Sequence, residues 1–235
     1  MEKLKGIVGD KDPVFWPESK CPFFKVPTGR NSCYGDIVGV SLKSLVDKKG
    51  LDLVDFHTKL YAHYGPGTDY ERATQEAAQK VKPVNGPWPN GAVKNFLKTY
   101  AANKEAVIGD PNIMDMDAVF FAIPVMVLYA GKPDLQEQVE RTVRILQTNE
   151  SVVAHSAFVA KMLETYILTG GNGVDEALKS AGGHITEEVK AVTAALDTPH
   201  GQVVQGFGLA CSMPGSFKGS LHTCLLYTSP SPRDS

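Results

Sequence analysis

The residues with chemical potential are mostly acids. Asp115 and Asp117 stand two apart in Asn112-Ile113-Met114-Asp115-Met116-Asp117, a pair of hard oxygen donors of the kind a divalent cation takes. On a helix, residues two apart point about 200° from one another, so both reach one ion only if they precede the first turn. The alternative is a helix N-cap followed by an acid that the helix dipole favours. Asp36, beside Tyr34 and Gly35 at an expected helix start, is a second candidate ligand and equally an ordinary N-cap. Asp69 follows Gly65-Pro66-Gly67-Thr68; it could face a cleft or serve as a first-turn acid beside Thr68. His155 lies among Val152, Val153 and Ala157, where a lone histidine is more often packed and hydrogen-bonded than catalytic. His57, His63, His184 and His200 show no partner pattern, although His200 precedes the Gly201 helix start, where an N-terminus could take a phosphate. Gly170-Gly171-Asn172-Gly173 could wrap a diphosphate. It lacks the strand and lysine of a nucleotide loop and reads as a helix C-cap and linker. Trp16 and Trp88 could stack a base, but both sit among prolines and read as packing anchors. Cys21, Cys33, Cys211 and Cys224 form no C-x-x-C pair and have no histidine cluster beside them, which argues against zinc.

The elements that must position these groups are helices. Residues 1–30 carry Pro13, Pro17, Pro22 and Pro27 with Trp16, Phe23 and Phe24 between them. Such proline density forbids a helix, so an extended segment packed on a core is expected. From Asp36 the apolar residues recur at helical spacing, with Gly50 as a stop. Leu53–Tyr64 is a second helix. Thr68 and Glu71 form a capping box for a third, running to about Lys82. A turn-rich loop over Pro83–Asn90 precedes a short helix at Ala92–Tyr100. Asp115–Tyr129 is strongly apolar, and Pro124 is expected to kink or split it. Asp134 caps the next helix, and Glu150–Leu168 follows. Val174–Ala181 and Glu187–Leu196 are short amphipathic helices, and a last one starts near Gly201. No run alternates as a strand would. The fold class is all-α.

Composition narrows the function. The chain has 235 residues, 43% hydrophobic and 21% charged, with 24 basic residues against 26 acidic. That balance leaves no electrostatic footprint for nucleic acid and no polybasic membrane anchor. Met1–Asp12 does not read as a secretory leader. The longest apolar run, Ala118–Ala130, is short of the ~20 residues a bilayer span needs. A reducing, cytoplasmic setting with thiols rather than disulfides is the expectation. Oligomeric state is not readable.

From about Cys224 the sequence turns abruptly to Ser and Pro, ending Thr228-Ser229-Pro230-Ser231-Pro232-Arg233-Asp234-Ser235. It is similar to a translated sequencing-adapter scar, and 224–235 is set aside as a non-native tail. The domain expected is therefore 31–223.

Several segments carry a resemblance. They are Pro27-Thr28-Gly29-Arg30-Asn31-Ser32-Cys33-Tyr34-Gly35-Asp36, Tyr64-Gly65-Pro66-Gly67-Thr68-Asp69-Tyr70, Gly86-Pro87-Trp88, Leu128-Tyr129-Ala130-Gly131-Lys132-Pro133, and Phe207-Gly208-Leu209-Ala210-Cys211-Ser212-Met213-Pro214-Gly215-Ser216-Phe217. In order and spacing the chain resembles the ADP-ribosylglycohydrolase family, in its J-type crystallin and selenoprotein J branch. The resemblance implies a compact orthogonal multi-helix bundle, here truncated at both ends. It implies cleavage of a glycosidic bond at the anomeric carbon of ADP-ribose, free or protein-linked, by two magnesium ions held by carboxylates. It places Asp36 as a metal ligand, with Tyr34, Gly35 and Asp69 at the ligand site. No catalytic residue is assigned.

The chain departs from that family pattern. Tyr34-Gly35-Asp36 offers one carboxylate where the hydrolases have two. Thr148-Asn149 stands where they have Thr-His. Their second acid motif would follow the helix matching Gln202–Leu221, beyond residue 223, and their opening helix would lie before Met1. Three functions follow: a magnesium-dependent hydrolase whose metal centre is incomplete in this polypeptide, a non-catalytic crystallin-type structural protein, or a module that keeps the cleft and binds an ADP-ribose-like ligand. With flanking helices absent, Val203, Phe207 and Leu209 are expected to face water and the chain to be aggregation-prone or partly molten.

Overall fold

The computed structural model describes residues 21–80, 82–171 and 173–228. Expectations for residues 1–20, Trp16 included, and for 229–235 fall outside the described residues. Of the proline-rich segment, Phe24–Lys25 (β1) pairs in parallel with Val84–Asn85 (β2). This small ladder was not expected, and two residues per strand are too few to show alternation. Everything else regular among the described residues is helical, in eleven helices.

The helices begin where short polar side chains satisfy the orphan N–H groups of a first turn. α1 (Cys33–Lys48) is capped by Ser32, whose Oγ accepts from Gly35 N at 3.4 Å; Asp36 therefore lies inside the first turn and is not the cap. The helix stops at Lys49 in the left-handed region (φ 56°), one residue before the glycine expected to end it. α2 (Leu53–Tyr64) is capped by Asp52. α3 (Asp69–Ala78) is capped by Thr68, while Glu71 reaches past it to Gly67 N at 2.8 Å. α4 (Gly91–Ala102) is capped by the buried Asn90.

α5 (Asp117–Tyr129) is the centre of the molecule. It is apolar almost all round, the signature of a helix enclosed by others. It packs against α1, α6 (Leu135–Leu146) and α7 (Glu150–Thr169). Phe121, Ala122, Val125 and Met126 are fully buried, and Phe121 stacks on Phe56 of α2 with ring centroids 4.1 Å apart. The helix continues through Pro124 unsplit. The proline removes one N–H without ending the helix, and buried residues lie on both sides of it. α6 presents Leu135, Val139, Val143 and Leu146 to this core, as its spacing predicts. α7 ends at Gly170, left-handed at φ 67°, so Gly170 acts as a C-cap.

α8 (Gly173–Leu178) and α9 (Gly183–Thr193) follow; α9 starts earlier than its sequence period suggested. The single helix expected over Gln202–Leu221 is two: α10 (His200–Phe207) and α11 (Gly215–Thr228). Gly208, at φ 103°, breaks the first, and Pro214 precedes the second. α11 also carries helix past residue 223, where a tail boundary was placed.

Candidate functional site

A cleft of about 460 Å³ opens between the start of α1, the start of α5, α7 and α11. Its walls are largely apolar: Phe120 and Val119 from α5, Met162 from α7, Phe217 and Leu221 from α11. Tyr34 stands at its rim against Phe120, with ring centroids 5.1 Å apart. Asp115 and Asp117 lie on the same wall.

The local backbone explains how two acids reach one wall. Asp117 is the first residue of α5 and Asp115 precedes it, so the opposed directions of a helical i, i+2 pair do not apply. Neither is a side-chain cap: Met116 occupies the N-cap position, with no side-chain hydrogen bond. The strap leading to them runs along the end of α6. Asp110 N donates to Leu146 O at 2.9 Å, Thr148 N to Asp110 O at 3.1 Å, and Asn149 Nδ2 to Pro111 O at 3.1 Å. Gly109 is obligatory there, because a Cβ would sit 2.6 Å from Arg144 O and Gln147 N. On the other side, Met213 N donates to Met114 O, and Ser212 Oγ donates to Asp115 at 3.1 Å.

Gln147 is the residue that sequence reasoning missed. It is fully buried. Its Oε1 accepts from Ala118 N at 2.7 Å, while its Nε2 donates to Ile113 O at 3.0 Å and to Asp115 O at 2.7 Å. One side chain thus holds both ends of the segment that carries the acids. A lone glutamine in a polar stretch carries no local signal of such a role.

Burial is the first cause of the electrostatics. Asp117 is 4% exposed, and desolvation pushes its carboxyl up to about 6; the nearby charge of Asp115 adds to this, while the Tyr34 hydroxyl beside it works the other way. The Tyr34 phenol is itself pushed up, by burial first and by the Asp117 charge next. Burial pushes the Cys33 thiol, close to both Asp117 and Asp36, up to about 11.

The other sequence candidates lie elsewhere. Asp36 Oδ2 accepts from Tyr70 Oη at 2.6 Å and sits 3.2 Å from His63 Nε2. Asp69 is a first-turn acid held by Arg30 at 2.7 Å and by Arg72, and it does not line the cleft. Gly35 lies in the first turn of α1 behind Tyr34, its amide donating to Ser32. His155 is fully buried; its Nδ1 is 2.7 Å from Ser151 O and its Nε2 2.9 Å from Glu188. Trp88 packs near Phe24.

Among the described residues no group of three or more His, Cys, Asp or Glu side chains is arranged to hold a metal. Two carboxylates at the cleft fit one hydrated hard cation at most. Asp36 and Asp69 do not line this cleft, so Asp115 and Asp117 are the acids that the described residues bring to it. No helix among the described residues is long and apolar enough to cross a membrane.

Comparison with known proteins places the architecture. The profile of the ADP-ribosylglycohydrolase family matches residues 18–234. Crystallin J1A of Tripedalia cystophora is 30% identical over 216 residues, 90% of this chain and 65% of that protein. Crystallin J1B of the same animal is 29% identical over 217 residues, 91% of this chain and 66% of that one. The chain thus spans just under two thirds of the length of these relatives. A solved chain described as an ADP-ribosylglycohydrolase-related protein complex superposes with a TM-score of 0.54 at 15% identity, covering 88% of this chain and 62% of the other. At that identity it speaks to the fold alone.

Proposed function

Because the chain belongs to the ADP-ribosylglycohydrolase family, we propose that its cleft binds an ADP-ribose-type group, free or protein-linked, and that this polypeptide does not hydrolyse it. The observation that carries the reading is the pairing of an apolar, aromatic-walled cleft with Asp115 and Asp117 on one wall. Phe217 and Phe120 offer flat apolar surface for a base or ribose ring. Carboxylates accept hydrogen bonds from sugar hydroxyls but repel a diphosphate. Asp115 and Asp117 therefore suit the ribose side of the ligand. A diphosphate near them calls for a countercation, for which magnesium is the family expectation, with those two acids as its protein ligands. Asp36, Asp69 and Gly35 drop out as direct contacts in this reading, and Tyr34 stays at the rim.

Asp117 has a defined part. Near neutral pH it exchanges a proton more readily than an ordinary aspartate, because its carboxyl lies near 6. Nothing among the described residues gathers the further acids that a two-ion hydrolysis needs. We place the protein in the reducing, cytoplasmic compartment expected from its sequence.

The test is calorimetric titration of the full chain with ADP-ribose, with and without magnesium, together with a ribose-release assay on an ADP-ribosylated peptide. We expect binding strengthened by magnesium and weakened by Asp117→Asn, with no release above a metal-free control. A folded chain that fails to bind at millimolar ligand sinks the binding half. Magnesium-dependent release sinks the other.

A second reading, a crystallin-type structural role, is favoured by the identity to Crystallin J1A and J1B. It requires concentrated, transparent solutions rather than a ligand, so turbidity at high concentration separates it from the first.

A further inference from the structure

Outside the cleft, a pair of titratable groups that no role above absorbs joins α10 to α11. His200, the first residue of α10, meets His222 of α11 with ring centroids 5.1 Å apart and planes 21° from parallel. The two Nδ1 atoms lie 2.9 Å apart. A nitrogen–nitrogen contact of that length holds one hydrogen, with one ring donating and the other accepting. The surroundings decide which. His222 is fully buried, and its Nε2 lies 3.2 Å from Ala195 O. A carbonyl only accepts, so that nitrogen carries the hydrogen and His222 Nδ1 is the acceptor. His200 Nδ1 is then the donor. The outer Nε2 of His200, an exposed residue, is 3.4 Å from Thr223 Oγ1, whose own hydrogen points to Gly219 O at 3.0 Å. That oxygen is free to accept, so the exposed ring can take up one proton with every contact intact.

We propose that His200 and His222 form a one-proton latch that fastens α11 to α10 and lets go when a second proton arrives. A second proton has only His222 Nδ1 left to bind. It turns the sole acceptor of the contact into a donor, sets two N–H groups against each other at 2.9 Å, and puts a charge on a ring with no exposed surface. No described carboxylate stands ready to offset that charge. On α9, Glu187 is paired with Lys190 and Glu188 with His155; on α11, Lys218 lies over the Phe207 ring of α10; and Asp197, in the segment that supplies Ala195, makes no ion pair with either histidine. His155 behaves in the opposite sense. Both its ring nitrogens face acceptors, Ser151 O and Glu188, so no contact there depends on a bare ring nitrogen. The latch matters beyond its corner because Phe217 and Leu221, on the same helix as His222, form one wall of the cleft. Acid release loosens that wall.

Hydrogen exchange of the full chain tests the latch, read as protection after correction for the intrinsic pH dependence of exchange. Between about pH 8 and about pH 5.5, a range that brackets imidazole titration, α11 amides over residues 217–223 are expected to lose about tenfold more protection than the α5 amides over 121–126. In His200→Gln the side-chain amide offers His222 either a donor or an acceptor, so the clash of two N–H groups is gone and the excess loss should shrink to the part that the buried charge alone causes. His222→Gln, in which the buried ring is gone, should also lack the acid response, even if protection starts lower. An α11 that keeps its protection in acid overturns the proposal. So does an excess loss of equal size in His200→Gln, which would place the responsible group elsewhere.

Discussion

At Asp117 a single buried carboxyl carries a consequence for stability that can be signed. Its carboxyl sits near 6 against an ordinary 3.8, chiefly because burial disfavours the charge. Between those values the folded chain holds a proton that the unfolded chain has released. The group therefore contributes most below about pH 4, and that contribution is lost as pH rises through 6. About two pH units correspond to ~3 kcal/mol of cost at neutral pH, to within a factor of two. Asp117→Asn keeps the volume and an acceptor beside Tyr34 while removing the charge. It should raise stability by about 1–3 kcal/mol at pH 7.5 and change it little at pH 4, as read by urea unfolding of both chains at each pH. An equal effect at the two pH values would mean that charge is not what burial penalises there. This site was half legible in the sequence. The acids at 115 and 117 stand out because their spacing is local, whereas Gln147, Ser212 and the phenyl walls come from segments far along the chain and meet them only in three dimensions. Asp36 and Asp69 show the converse: their types suggested ligands, but the fold sets them beside Tyr70 and two arginines rather than on the cleft wall.

Among the elements, the strap before α5 has no regular structure, so side chains and one glycine must fix it. Gln147 satisfies one buried donor and two part-buried acceptors along it. Gln147→Leu keeps the apolar bulk and abandons all three. A buried polar group left without a partner costs about 1–3 kcal/mol, and some of these will find water, so a net loss of about 2–4 kcal/mol is expected. The measurement is again the denaturation midpoint, and a loss within experimental error would show that the strap is held by its backbone contacts alone. Gly109→Ala attacks the same strap through shape. The added methyl meets backbone of α6 and the residue after it rather than a movable side chain, so the strap itself must shift. A loss of about 1–3 kcal/mol is expected, together with weaker ligand binding at the displaced Asp115 and Asp117. Unchanged binding would detach the strap from the site. Helices with a short polar cap and a clean apolar period, such as α2 at Leu53–Tyr64, were legible almost to the residue, because both signals are local. The corner between α10 and α11 was not. Gly208 and Pro214 marked it, yet the apolar period running through Phe207 argued for one unbroken helix.

For the molecule as a whole, the apolar surface lies in a different place from the one the sequence suggested. Val203 is buried, Phe207 is half-buried under Lys218, and of the three residues expected to face water Leu209 alone is well exposed. The all-α architecture itself was legible because helical period, caps and glycine stops agreed over most of the chain. Surface exposure was not, since it depends on which helix faces are covered by others. The wider exposed patch is on α1 and α5, where Leu42, Val46, Val127 and Leu128 border a groove with Ile123 and Pro124 at its floor. Contiguous apolar surface of this kind drives association, so the chain should self-associate with rising concentration while remaining folded. Leu42 and Val46 are both more than half exposed and stand four apart on α1. Replacing them as Leu42→Glu with Val46→Lys sets an acid four residues before a base, the favourable order on a helix, at no change in net charge. Neither side chain is in the enclosed core, so stability should shift by less than about 1 kcal/mol. Light scattering across a concentration series should then show the parent gaining mass and the double variant staying monomeric, with the same cooperative melt in both. If the variant associates as strongly as the parent, the patch on α1 is not the cause. If the parent melts without cooperativity, the packed core around α5 does not hold the chain together in solution.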